Sequence, residues 1–224
     1  MTREDGLMEN FVTDYWQLRL ESLRERLVKN NFQVAIVPSA AEAADYILVK
    51  LLPELMPTSV AYGGSMTLAS TGILDKIAAL DGIKLIPLKA PGLSDEAQME
   101  LKRQSLLVDL YLTGTNAVTE DGCLVNLDRV GNRIGALTFG PKRVLVIVGR
   151  NKIVPDLDSA IYRIKDYAAP ANAMRLKCKT PCAKTAECAD CNSPGRICNT
   201  WTITEKSYPK GRVTVILVND ELGL

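Results

Sequence analysis

The chain has 224 residues, 47% of them apolar, with 27 Lys and Arg against 26 Asp and Glu. That suits one large domain, or one domain with an appendage, and excludes collagen-like, disordered and mini-protein classes. A near-zero net charge gives no whole-molecule attraction to nucleic acid or anionic membrane, and the absence of any histidine excludes serine–histidine triads, Cys–His pairs and His-ligated metals within the chain.

The N-terminal "MTREDGLMENFVTDYWQ" lacks the basic-then-apolar run of a signal peptide, and no apolar stretch approaches a membrane span. The expectation is a soluble cytoplasmic protein whose thiols stay mostly reduced. Trp16, Leu20, Leu23 and Leu27 recur at helical spacing with charges between them, which predicts an amphipathic helix ending near Asn30 and Asn31. Its apolar stripe docks on the chain's own core or, as the weaker reading, pairs subunits in a homo-oligomer. Val34–Val37 reads as a buried strand. "PSAAEAADYILVKLL" then reads as a helix with a capping box at Ser39 and Glu42. Strands are predicted at 58–62, 83–88 and 110–113, and helices at 66–80 and 95–107.

Strands alternating with helices of ten to fifteen residues predict βαβ units, hence an α/β fold with a largely parallel sheet and helices on both faces. After residue 114 the pattern changes. "TNAVTEDGCLVNLD" and "IGALTFG" read as hairpin strands, with a turn at Asp121 and Gly122. "RVLVIVG", residues 143–149, is uniformly apolar, as a central strand buried on both faces should be. A helix over 156–167 and strands at 202–204 and 213–218 complete the pattern. The N-terminal helix (1–32) thus precedes an α/β domain (33–224) carrying a cysteine-rich, irregular insert at 175–200.

Three stretches can carry chemistry. In "YGGSMTL", Gly63 and Gly64 allow close backbone approach while Ser65 and Thr67 offer hydroxyls, a turn suited to phosphate or carboxylate; a lone GGS also serves as a plain strand-to-helix turn capped by Ser65. The second stretch runs from "LTGTNAVTEDG" through "NLDRVGNRIG" to "VGRNKI". Asn116, Asn126 and Arg133 are its candidate ligand-binding residues, at turns following strands where α/β ligands usually sit. Lys152 is placed to meet an anionic group and Glu120 to move a proton. Charges in turns are equally often merely solvated.

The third stretch holds five of the six cysteines, Cys178, Cys182, Cys188, Cys191 and Cys198. They offer more thiolates than one tetrahedral ion needs and suit zinc or an iron–sulfur cluster, although the spacing matches no ferredoxin run. A thiol–disulfide switch is the competing reading.

"YGGSMTLASTGIL", the stretch from "LTGTNAVTEDG" to "DSAIYRIK" and "TPCAKTAECADCNSPGRICN", in that order, resemble the lactate-utilisation (LUD) domain family in its cysteine-bearing form from anaerobic bacteria. The resemblance covers nearly the whole chain from about residue 10. It implies a Rossmann-like fold of the superfamily that contains ribose-phosphate isomerases, glucosamine-phosphate deaminases and CoA transferases. It places the superfamily's anion site on Gly63, Gly64, Ser65 and Thr67, and sets Lys152 beside the lysine of the isomerases. "TEDG" departs from the isomerases' paired-aspartate turn, so isomerase activity is not implied. The resemblance further implies lactate or 2-hydroxy-acid utilisation, with iron–sulfur proteins as redox partners. Two readings stay open: a redox-linked subunit with a thiolate metal site and a small anionic metabolite bound to its body, or an enzyme on a phosphorylated or CoA-linked molecule.

Overall fold

The structure, a computed structural model, describes the backbone of residues 3–224 and side chains from residue 11 onward. Its strands are β1 (Gln33–Val37), β2 (Ser59–Tyr62), β3 (Lys84–Ile86), β4 (Leu110–Gly114), β5 (Ala117–Thr119), β6 (Leu124–Asp128), β7 (Arg143–Gly149), β8 (Ile153–Val154), β9 (Thr200–Thr204) and β10 (Val213–Val218). Six of them form an all-parallel sheet in the order β1–β10–β7–β4–β2–β3. "RVLVIVG" is central, with Val146 level with Val215 on one side and Thr113 on the other. The remaining four form a second sheet, β8–β5–β6–β9.

The helices are α1 (Arg3–Lys29), α2 (Ala40–Tyr46), α3 (Leu52–Leu55), α4 (Met66–Ser70), α5 (Ile73–Ala78), α6 (Asp95–Gln104), α7 (Asn132–Thr138), α8 (Leu157–Arg163), α9 (Ala169–Arg175) and α10 (Cys182–Thr185). Side chains alternate across the pleat, so Val144, Val146 and Val148 join Leu20, Leu23 and Leu27 of α1 on one face. Leu145 and Ile147 join Ala43, Leu68, Ile73 and Ile77 of α2, α4 and α5 on the other. The fold is therefore α/β with a parallel sheet flanked by helices, as the alternating pattern predicts. Each fully buried Leu, Ile or Val contributes roughly 1.5–3 kcal/mol, so these two layers hold the sheet.

Local departures from the sequence reading have local causes. "IGALTFG" is not a strand: it lies in α7, where Gly131 at φ +95 starts the helix and Arg133, Ile134, Ala136 and Leu137 are its buried residues. Ile134 and Leu137 are a helical i, i+3 pair, but Ile134, Ala136 and Thr138 also alternate, and seven residues cannot separate the two periods. The 66–80 helix is split by Gly72 at φ +64, which begins α5. The helix of 156–167 continues through a π turn at Ile164–Ala168 into α9, and Pro170, which cannot donate to the helix ladder, follows that π turn. The Asp121–Gly122 turn does join β5 to β6, with Gly122 at φ +90.

The buried Arg212 finishes α7. Its guanidinium donates to the carbonyls of Ala136 (2.7 Å), Leu137 (2.7 Å), Phe139 (2.8 Å) and Pro141 (3.1 Å), which would otherwise be orphaned at the helix end. Replacing it by methionine leaves those acceptors unpaired. Arg212→Met should destabilise the protein by about 3 kcal/mol, read as a lower urea midpoint with unchanged slope.

Candidate functional site

The site forms where two neighbouring strands leave the parallel sheet together. β4 passes through Thr115 and Asn116 into β5, and β7 passes through Arg150, Asn151 and Lys152 into β8. β4 and β7 are paired in the first sheet, and β5 and β8 are paired in the second, so the two connections cross the seam side by side. A ladder interrupted in both strands leaves carbonyl oxygens in need of donors.

Cations supply them. The Lys152 ammonium donates to Thr115 O at 3.3 Å and to Thr67 Oγ1 at 2.7 Å. Arg163 of α8 donates through Nη1 to Asn116 O at 2.8 Å and through Nε to Asn151 O at 3.2 Å. Arg133 of α7 donates to the Asn116 side chain, Nη2 to Oδ1, at 2.7 Å, and to Leu127 O at 2.9 Å. One dipeptide, Thr115–Asn116, thus gathers three positive side chains.

Their compensation is uneven. Arg133 has a carboxylate, with Nε 3.5 Å from Asp128 Oδ1. Lys152 is only 4% exposed, and among the described residues no carboxylate lies within ion-pairing distance of it. Burial first, and then the charges of Arg163 and Arg133, push its pKa down to about 7.

Asn126 adds an unpaired donor. It is fully buried, and its Oδ1 accepts from Arg133 Nη1 (3.3 Å) and Thr115 Oγ1 (3.1 Å), while among the described residues its Nδ2 finds no acceptor. Thr202, directly across the ladder on β9, carries a buried hydroxyl in the same condition. Two unmet polar groups on facing residues call for a polar atom between them.

The glycine turn borders this cluster. Gly63 N continues the ladder onto Leu112 O at 2.9 Å. A Cβ at Gly63 would sit 3.0 Å from Arg133 Cγ, 3.0 Å from Thr113 Oγ1 and 3.2 Å from Tyr111 Oη, so no larger residue fits without moving them. Ser65 Oγ caps α4 through Leu68 N (3.2 Å), and Thr67 Oγ1 donates to Leu222 O (3.0 Å) while receiving Lys152. Tyr111 lies fully buried with Asn132 Nδ2 3.4 Å from its hydroxyl, and burial raises its pKa.

Gly63, Thr67, Asn116, Asn126, Arg133 and Lys152 therefore come together, with Gly64 and Ser65 completing the turn. Glu120 does not join them. It lies at the far end of β5, on the order of 15 Å along the strand from Thr115, half-exposed and ion-paired to Arg19 of α1.

The cysteines lie elsewhere. Asp190 Oδ1 accepts from Lys165 Nζ (2.8 Å) and Arg196 Nη2 (3.0 Å), and Arg196 also donates to Cys191 O (2.5 Å) and Cys198 O (2.9 Å). Cys188 and Cys198 lie within electrostatic reach of Lys165, as Cys198 and Cys191 do of Arg196. Hydrogen bonding from Ser193, helped by Arg196, lowers the Cys191 pKa. Cys178 and Cys182 lie at the entry of the segment, Cys182 in the single turn of α10 with its sulfur 3.4 Å from Thr180 Oγ1. All six cysteines are free thiols. Among the described residues, no three His, Cys, Asp or Glu side chains are placed to hold one metal ion, so the segment as folded here does not fit a zinc or iron–sulfur ligand set.

Arg163, Asn151 and Thr115 were not singled out by sequence reasoning. Arg163 left a signal, a cation on the stripe of α8 that also carries Ala160 and Ile164. Thr115 and Asn151 left none, since the carbonyl oxygens that Lys152 and Arg163 reach there are common to every residue type.

The fold and this cluster define an α/β protein with a buried cationic cluster at the carboxyl ends of its central strands, the position where open parallel sheets hold ligands. The chain belongs to the LUD domain family, which matches residues 20–218. A DUF162 family protein from Deinococcus radiodurans, known from a crystal structure, shares the fold with TM-score 0.54 and 17% identity, covering 91% of this chain and 98% of that one. None of the curated proteins matches the chain. No helix among the described residues is long and apolar enough to cross a membrane.

The buried lysine fixes a pH dependence. With its pKa near 7 in the folded chain and near 10.5 when unfolded, the native state releases its proton first as pH rises, so the unfolded state holds more protons between these values. Stability rises across that window and the gain is lost as pH falls toward 7. Lys152→Met should remove this slope, a difference of up to about 5 kcal/mol between pH 7 and 10.5, measured by urea unfolding of both proteins at each pH.

Proposed function

We propose that this LUD domain protein serves lactate or 2-hydroxy-acid utilisation by binding a small carboxylate of the 2-hydroxy or 2-oxo acid class at the seam between its sheets. The family is linked to lactate utilisation. The observation that carries the proposal is the buried Lys152 ammonium, held by two neutral oxygens and subject to the charges of Arg163 and Arg133, with no carboxylate of its own among the described residues. A bound carboxylate supplies the missing charge and an acceptor for Asn126 Nδ2. The placement of Glu120 on Arg19 supports binding over the alternative, an enzyme acting on phosphorylated or CoA-linked molecules with Glu120 as acid or base.

Thermal denaturation with L-lactate, pyruvate, sugar phosphates and CoA esters tests this. Lactate or pyruvate should raise Tm by mass action, and Arg133→Met should abolish the rise. The charged form of Lys152 predominates below about pH 7, so affinity should be flat from pH 5.5 to 7 and fall by up to about tenfold per unit above it. A shift with sugar phosphates or CoA esters alone would replace this reading with the enzyme one.

A second reading concerns redox linkage. We infer a thiol-based role for the 178–198 segment, favoured by three thiols around the Lys165–Asp190–Arg196 network. Cationic surroundings stabilise thiolate, the form that exchanges disulfides or takes up zinc or an iron–sulfur cluster from a redox partner. Because the ligand set is not assembled here, metal uptake requires the segment to refold. Elemental analysis and an absorbance spectrum of protein prepared without air should show either stoichiometric metal, lost in Cys188→Ser and Cys191→Ser, or no metal and a reversible, reductant-sensitive disulfide.

A further inference from the structure

We propose that Lys152 is a nucleophile that forms an imine with the carbonyl group of a 2-oxo acid held at the seam. The inference rests on the carboxylate-binding reading and adds a covalent step to it.

Geometry carries the argument. An ammonium has three donors, and Lys152 Nζ uses them on Thr67 Oγ1 (2.7 Å) and Thr115 O (3.3 Å), leaving one direction without a partner among the described residues. A lysine kept only for its charge is normally paired with a carboxylate when buried. Here Nζ touches a hydroxyl from α4 and a carbonyl from the β4–β5 connection, and the charges of Arg163 from α8 and Arg133 from α7 act on it. The charges that act on it are cations, and among the described residues none is its ion-pair partner. Such a setting favours the neutral amine, the form that attacks carbonyl carbon. It agrees with the lowered pKa of the group, about 7.

The same setting selects the partner. Arg133 and Arg163 are anchored on Asn116, the residue next to the carbonyl that holds Lys152 (2.7 and 2.8 Å). A carboxylate bound beside these guanidinium groups and Asn126 Nδ2 sets the carbon one bond away against Nζ. In a 2-oxo acid that carbon is a ketone. In a 2-hydroxy acid it is a saturated carbinol that an amine does not attack. The step balances without any oxidant or reductant: the amine adds to the ketone carbon, a proton moves from nitrogen to oxygen to give the carbinolamine, and loss of water leaves the neutral imine. Thr67 Oγ1, in contact with Nζ and hydrogen-bonded to Leu222 O, is placed to pass that proton.

Reductive trapping tests the step. The full chain is incubated with pyruvate and sodium borohydride, and intact mass and peptide maps are recorded for the native protein and for Lys152→Arg and Lys152→Met, each checked for folding by circular dichroism. The expected result is one reduced pyruvyl adduct per chain, on the peptide containing Lys152, absent from both variants, absent with L-lactate, and, with pyruvate kept saturating at each pH, increasing as pH passes through about 7. Adduct spread over surface lysines and undiminished in Lys152→Arg would overturn the proposal. A pyruvate-induced Tm shift without adduct would also overturn it while leaving carboxylate binding intact, and neither shift nor adduct would remove both.

Discussion

Two adjacent strands that break out of a parallel sheet at the same level create one unmet demand, and most of the site follows from it. Between Gly114 and Ala117, and again between Gly149 and Ile153, the backbone stops answering its neighbour. Buried carbonyls without donors cost on the order of 1–3 kcal/mol each. Lys152 and Arg163 meet that demand from the chain's own side chains, reaching Thr115 O, Asn116 O and Asn151 O. The seam is thereby closed by cations rather than by a ladder.

Closing it this way concentrates positive charge. Arg133 has Asp128, but Lys152 and Arg163 are set against neutral oxygens. Burial lowers the pKa of Lys152 and of Arg163, and the charges of the two arginines lower that of Lys152 further. This strain between satisfying carbonyls and accumulating cations is relieved by an anion or by loss of a proton, and both outcomes are chemically useful. The proposed carboxylate site and an amine that can be neutral near pH 7 are two consequences of one arrangement.

The segment with five cysteines follows a different logic. It is tied to the body through Asp190, Lys165 and Arg196 and through main-chain bonds such as Asn199 N to Asp128 O (2.9 Å), which continues the β6–β9 pairing. Its thiols gather around cations without converging on one point. Of these thiols, Cys191 has its pKa lowered, by hydrogen bonding from Ser193 and by Arg196.

The alternation of buried strands and amphipathic helices was legible because periodicity is a local property: "RVLVIVG" reads as a central strand and Leu20, Leu23 and Leu27 as a docking stripe wherever they occur. The Ser65 cap, the Asp121–Gly122 turn and the candidacy of Thr67, Arg133 and Lys152 were legible for the same reason, since each depends on neighbours within a few residues. What the sequence determined by itself was therefore the elements, the parallel sheet and the residue types available for binding an anion. The helical state of 132–138, the separation of Glu120 from Lys152, and the recruitment of Arg163 were decided only in three dimensions. Those outcomes depend on which carbonyls the seam leaves unpaired and which cations fall within about 3 Å of them, and contacts such as Lys152 with Thr67, 85 residues apart, leave no trace in local spacing.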